Sequence, residues 1–96
     1  YKNSSPSAVL ERQKTTQKYP EGRVIVLDDD INTFEHEVKS LKKVIPAMSE
    51  EKAWDLANQI DKEGSAEVWS GPLEQAELYH QQLIVEGLTM APIERT

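Results

Sequence analysis

The segment that most narrows the possible folds is Arg23 to Leu27, which reads R-V-I-V-L and runs straight into Asp28-Asp29-Asp30. Four consecutive β-branched or aliphatic residues suit a strand buried on both faces. Helical patterns follow. Asn32-Thr33-Phe34-Glu35 has the form of a capping box, with Asn32 as N-cap and Glu35 three residues on. Phe34, Val38, Leu41 and Ile45 then share one helical face until Pro46 stops the helix. Ser49 followed by Glu50 and Glu51 predicts a second helix start, because acids suit the positive end of the helix dipole. Its apolar face is Ala53, Leu56, Ala57 and Ile60, and Gly64 suits the C′ position. Ala66 to Trp69 predicts a second strand, broken by Gly71. Pro72 fits the first position of a third helix, with Leu73, Ala76, Tyr79 or His80, and Leu83 as its face and Gly87 as its close. Leu88 to Ile93 predicts a third strand, bounded late by Pro92. The order β-α-α-β-α-β, with three short, mainly antiparallel strands and three helices, predicts an α+β two-layer sandwich.

Size and charge set the organisation. Ninety-six residues make one domain. Residues 1–22 carry Lys2, Arg12, Lys14 and Lys18 against Glu11 and Glu21, whereas residues 23–96 carry 7 basic and 15 acidic groups, a net of −8. The first segment is also rich in Ser, Thr, Asn and Gln, with Pro6 and Pro20 as breakers, and buries too little to offset its ordering entropy. It is expected to be a flexible extension, with the folded domain over 23–96. The acidic balance argues against nucleic acid or an anionic membrane as partner, since both need a basic face. No apolar run approaches a membrane span, and no signal-peptide pattern opens the chain. Cysteine is absent, which excludes disulfides, Cys-ligated zinc and thiol catalysis. A cytosol-like compartment is the expectation.

The acidic cluster is the candidate chemistry. Asp28, Asp30 and Asn32 match positions 1, 3 and 5 of a calcium loop, but that loop needs Gly at position 33 and Glu at position 39, where the chain has Thr33 and Lys39. A strand ending in acids also fits a magnesium-binding receiver domain, yet Ser70-Gly71 follows the second strand where an Asp would be phosphorylated. The plainest reading is a solvated turn ahead of a helix. Adjacent carboxylates repel, however, unless a cation relieves them, and that cation can be a metal or an ammonium group. His36 lacks the second His of a zinc helix, and it and His80 read as single surface histidines. Trp54 flanks the apolar face of the second helix and Trp69 lies in a strand, so both read as core or rim. No Ser/His/Asp order or Gly-rich phosphate loop points to catalysis, and neither a catalytic residue nor a metal site is expected.

The whole pattern resembles the ClpS family, adaptors of the Clp AAA+ protease, over about Arg23 to Glu94. The features that carry the resemblance are the V-I-V-L strand, the acidic turn, the two helices ending at Gly64, and the closing Gly87-Leu88-Thr89-Met90-Ala91-Pro92. The insert Ile45-Pro46-Ala47-Met48-Ser49 and the short last turn look like the cyanobacterial and plastid branch. The resemblance implies a non-enzymatic, cofactor-free adaptor. Such a protein binds the free α-amino group and bulky hydrophobic first side chain of an N-degron substrate, then delivers it to a ClpC- or ClpA-type ATPase. It implies an N-terminal extension that assists delivery; a cytoplasmic or, in a plant, plastid-stromal location is expected, with a monomer as the default. A chain truly beginning at Tyr1 would itself offer such a first residue to a neighbouring copy.

Carried over position by position, the resemblance implies that Asp28, Asp29 and Asp61 bind the α-amino group, and that Asp30, Asn32, Phe34, Val38 and Ala57 line the side-chain pocket. The chain departs from the family pattern at several of these. Asp28 stands for a usual Asn and Asn32 for a common Thr. Phe34 stands where a Met often gates the pocket, Ala57 for a pocket-lining Met, and Asp61 for an amino-holding His. An ionised Asp accepts from an ammonium but cannot donate as His can. The expectation is retained preference for a cationic N-terminus with altered side-chain choice. The alternative is a ClpS-like module that has lost N-terminal recognition and modulates the ATPase or binds another ligand in the acidic cleft.

Overall fold

The computed structural model describes residues 19–96. The elements are β1 (Glu21–Leu27), α1 (Phe34–Val44), α2 (Glu50–Glu63), β2 (Ser65–Pro72), α3 (Leu73–Val85) and β3 (Glu94–Arg95). The order is the β-α-α-β-α-β read from the sequence, in an α+β fold. The sheet order is β2-β1-β3, with β1 central and both neighbours antiparallel to it. Most of the extension expected over 1–22 lies outside the described residues, and β1 begins at Glu21, two residues before the expected domain start.

β1 is less buried than its aliphatic run suggested. Gly22, Val24 and Val26 are buried, whereas Ile25 and Leu27 are half-buried and Arg23 is exposed. The strand therefore alternates, as in an antiparallel sheet packed on one side. On the outer face Arg23 forms ion pairs to both neighbouring strands, with Glu67 at 2.6 Å and Glu94 at 2.7 Å. The inner face meets the helices. Val24, Val26, Leu41, Ala53, Ala57, Ile60, Ala76 and Leu83 are within 1% of full burial and form one core. Gly22 permits α3 to lie close on β1: a Cβ there would stand 2.9 Å from Ile93 Cγ2 and 3.0 Å from Ala76 Cβ.

The third strand is displaced from its expected span. Residues 88–93 touch β1 through an isolated bridge, Val26 with Met90, and the paired strand is Glu94–Arg95. Pro92 has no N–H to donate, so the ladder lapses there and resumes beyond it. The Ala91 N–H still reaches the Ile25 carbonyl at 3.0 Å, and the Leu27 N–H reaches Thr89 at 2.8 Å. Pro72 closes β2 and serves as the N-cap of α3 rather than its first residue.

Candidate functional site

The acidic turn sits between β1 and α1, where two connections hold it. The Asp28 N–H donates to the Gly64 carbonyl at 2.9 Å. Gly64 can turn that carbonyl toward the strand because it adopts φ 89, a left-handed conformation that L side chains rarely take. This brings the C-terminal end of α2, with Asp61, to the acidic turn.

Asp29 makes the second connection. Its Oδ1 accepts the N–H groups of Ile31 and Asn32, both at 2.8 Å. Its Oδ2 accepts Asn32 Nδ2 at 2.6 Å and Thr89 Oγ1 at 2.7 Å. Asn32 Nδ2 also donates to the Gly87 carbonyl at 3.0 Å. A carboxylate offers about four lone-pair sites, and Asp29 uses all of them within the chain. The Asn32 N–H and the Thr89 hydroxyl hold its carboxyl well below the ordinary carboxylate range. Asn32 is thus committed to the turn, and the N-cap of α1 is Thr33, whose Oγ1 accepts the His36 N–H at 3.1 Å. The expected Asn32 cap is corrected by one residue, because the Asn32 side chain is held by Asp29 and Gly87.

Asp28, Asp30 and Asp61 are exposed. Asp28, Asp29 and Asp61 all act on one further carboxyl, that of Glu37 in α1, which is 4% exposed. Burial first, then repulsion from Asp29, Asp28 and Asp61, pushes Glu37 up to about 7, against a small opposing effect of His36. Sequence reasoning missed Glu37, although a signal was present. It lies three residues after Phe34 and four before Leu41, so a charged residue occupies a slot on the inward stripe.

The expected pocket residues are placed less evenly. Phe34 is half-buried and packs against Trp54, ring centroids 6.2 Å apart. Val38 is buried, and it borders an open groove with Glu35, Lys39, Lys42, Glu50 and Trp54. Ala57 is wholly buried in the core. Asp30 makes no side-chain hydrogen bond among the described residues. The histidines are anchors rather than free surface groups: His36 Nε2 donates to the Glu86 carbonyl at 2.7 Å and His80 Nε2 to the Ala91 carbonyl at 2.8 Å. Trp69 packs edge-on against Tyr79, with centroids 4.9 Å apart.

Two lysines of α1 are paired away from the turn. Lys42 pairs with Glu50 at 3.0 Å and Lys43 with Glu86 at 2.8 Å. No group of three or more His, Cys, Asp or Glu among the described residues is arranged to hold a metal ion. No helix of the described residues is long and apolar enough to cross a membrane.

Fold and site together define a small α+β sandwich that gathers carboxyl groups from a strand–helix turn and two helices at one end of its sheet. The family profile described as ATP-dependent Clp protease adaptor protein ClpS matches residues 17–90. A protein named ATP-dependent Clp protease adapter protein ClpS from Thermosynechococcus vestitus is 58% identical over 91 residues, covering 93% of this chain and 97% of the relative. Proteins of the same name from Nostoc and Synechocystis are each 53% identical and each cover 96% of this chain, with 97% and 92% of their own lengths matched. The chain belongs to the ClpS family of Clp protease adaptors.

Proposed function

We propose that this chain is an N-degron adaptor: it binds the free α-amino group and bulky first side chain of a substrate and passes it to a ClpC- or ClpA-type ATPase. The observation that carries this reading is the gathering of Asp28, Asp29 and Asp61 around Glu37, where the one positive influence among the described residues is His36. Such a cluster favours a cation from outside. An α-amino group has a pKa of about 7.7–8.0 and is mostly an ammonium at neutral pH.

The roles divide by hydrogen-bonding capacity. Asp29 is saturated, so it fixes the turn and contributes charge. Asp28 and Asp61 are exposed and make no side-chain hydrogen bond to another described residue, so they accept from the ammonium. Each charge-assisted bond contributes about 1.5–3 kcal/mol. Burying one large side chain against the Phe34 end of α1 adds about 1.5–3 kcal/mol. After ordering costs, a micromolar affinity, about 8 kcal/mol, is within reach.

Fluorescence anisotropy with peptides that differ only at residue one, each free and N-acetylated, tests this reading. Binding near micromolar that acetylation abolishes is the expected result. Equal binding of free and acetylated peptides, or none at all, would transfer support to the ClpS-like module without N-terminal recognition.

A further inference from the structure

α2 carries Trp54, Asn58 and Asp61 at spacings of four and three, which sets them on one helical face. Trp54 is half-buried, and Asn58 and Asp61 are exposed. Asn58 Nδ2 donates back to the Trp54 carbonyl at 3.0 Å, which folds its side chain along the helix. Seven residues separate Trp54 from Asp61 by about 10.5 Å along the axis, and helical side chains lean toward the N-terminus, so the Asp61 carboxylate leans toward Trp54. Across from Trp54 stands Phe34 of α1, its ring tilted 57° to the indole with centroids 6.2 Å apart. Past Phe34 the two helices leave an open groove of about 280 Å³, with Val38 and Trp54 as its apolar lining. The Lys42–Glu50 ion pair, at 3.0 Å, joins α1 to α2 at the end of the groove away from the acidic turn. That volume suits one large side chain rather than a whole small-molecule ligand.

We propose that Trp54 is a specificity-determining residue of this site: the first side chain of the substrate lies in the α1–α2 groove against the Trp54 ring, so that Phe, Tyr and Trp are preferred over Leu. This rests on the N-terminal reading above. With the α-ammonium on the Asp61 carboxylate, one hydrogen bond of about 3 Å and the length of an aromatic side chain span the distance to Trp54. A Leu side chain ends two bonds beyond its Cβ and stops short of the indole. An aromatic first residue adds a third ring to the Phe34–Trp54 pair, and ring pairs gain more than their buried area alone supplies. The open side of the groove leaves a polar tip, such as a Tyr hydroxyl, in water.

The test uses the full chain and anisotropy with peptides beginning Phe, Tyr, Trp or Leu, each free and N-acetylated, alongside Trp54→Leu and Trp54→Phe. In the unaltered chain the free aromatic peptides are expected to bind about three- to tenfold tighter than the Leu peptide. Trp54→Leu should erase that advantage, and Trp54→Phe, which keeps a ring, should retain most of it. The Leu peptide should bind all three proteins within about twofold, which guards against a folding defect. Intrinsic emission gives a second reading: an unlabelled Phe-first peptide should change it in the unaltered chain but not in Trp54→Phe, where Trp69 alone remains. Leu binding as tightly as Phe, equal weakening of every peptide in Trp54→Leu, or unchanged emission at saturation would each overturn the proposal. N-terminal recognition would still stand wherever free peptides outbind acetylated ones. Absence of binding by every free-amine peptide to the unaltered chain would overturn both readings together.

Discussion

Asp28 and Asp29 are neighbours of the same type, but the backbone gives them opposite tasks. Asp29 is a structural carboxylate: four donors from Ile31, Asn32 and Thr89 converge on it, and Thr89 ties the turn to the segment that precedes β3. Thr89→Val removes one charge-assisted bond and should cost about 1.5–3 kcal/mol in denaturant unfolding. Asp29→Asn should cost more, because an amide nitrogen would face at least one donor that now meets a carboxylate oxygen. The pH dependence has a definite sign. The folded Asp29 carboxyl lies below its ordinary 3.8, so its stabilisation is present above that pH and is lost as the pH falls toward the lowered value. Acid titration of unfolding should show the unaltered chain losing stability below about pH 4 and Asp29→Asn losing less over the same range. Equal acid slopes would mean that the four bonds do not govern this carboxyl.

Among the elements, the approach of α3 to β1 is the most exacting contact. At Gly22 an added Cβ would meet Ile93, Ala76 and Leu73 at 2.9–3.0 Å, and the Ala76 Cβ has no rotamer by which to withdraw. Gly22→Ala should therefore destabilise by about 1–3 kcal/mol, read as a lowered denaturation midpoint, and an unchanged midpoint would show that α3 can shift without cost. Five of the six elements were legible in place because each carries its own punctuation: Ser49 caps α2, Gly64 ends it and Pro46 stops α1; β3 lies beyond the expected 88–93. What was not legible was set by partners distant in the chain. Asn32 reads as a cap until Gly87, fifty-five residues on, is known to accept its amide. The residues 88–93 read as a strand, but Pro92 divides their pairing with β1. In the site, the acidic turn was plain from its composition. Glu37 was not, because a single Glu on an amphipathic helix reads as surface until its neighbours are placed.

Across the whole molecule, the two perturbed carboxyls divide the pH axis. Residues 23–96 carry a net of −8, and part of that charge, from Asp28, Asp29 and Asp61, acts on Glu37. Glu37 is shifted in the opposite direction from Asp29. Its unfolded carboxyl ionises near 4.5, whereas the folded one keeps its proton up to about 7. Between those values the unfolded state binds fewer protons, so stability falls as pH rises, and no further above the folded value. Asp29 thus weakens the fold as the pH falls below about 4, and Glu37 weakens it as the pH rises from about 4.5 to about 7. The facing groups are Asp28 and Asp29 from the turn, Asp61 from α2 and His36 from α1, and all but His36 deepen the Glu37 effect. Glu37→Gln removes the titrating group but keeps its shape. Thermal melts of both proteins from pH 4.5 to 8 should show a falling midpoint for the unaltered chain and a flatter line for Glu37→Gln, with the variant the more stable at pH 8. Parallel lines would mean that Glu37 is ionised throughout, and that a cation within the folded chain already meets it.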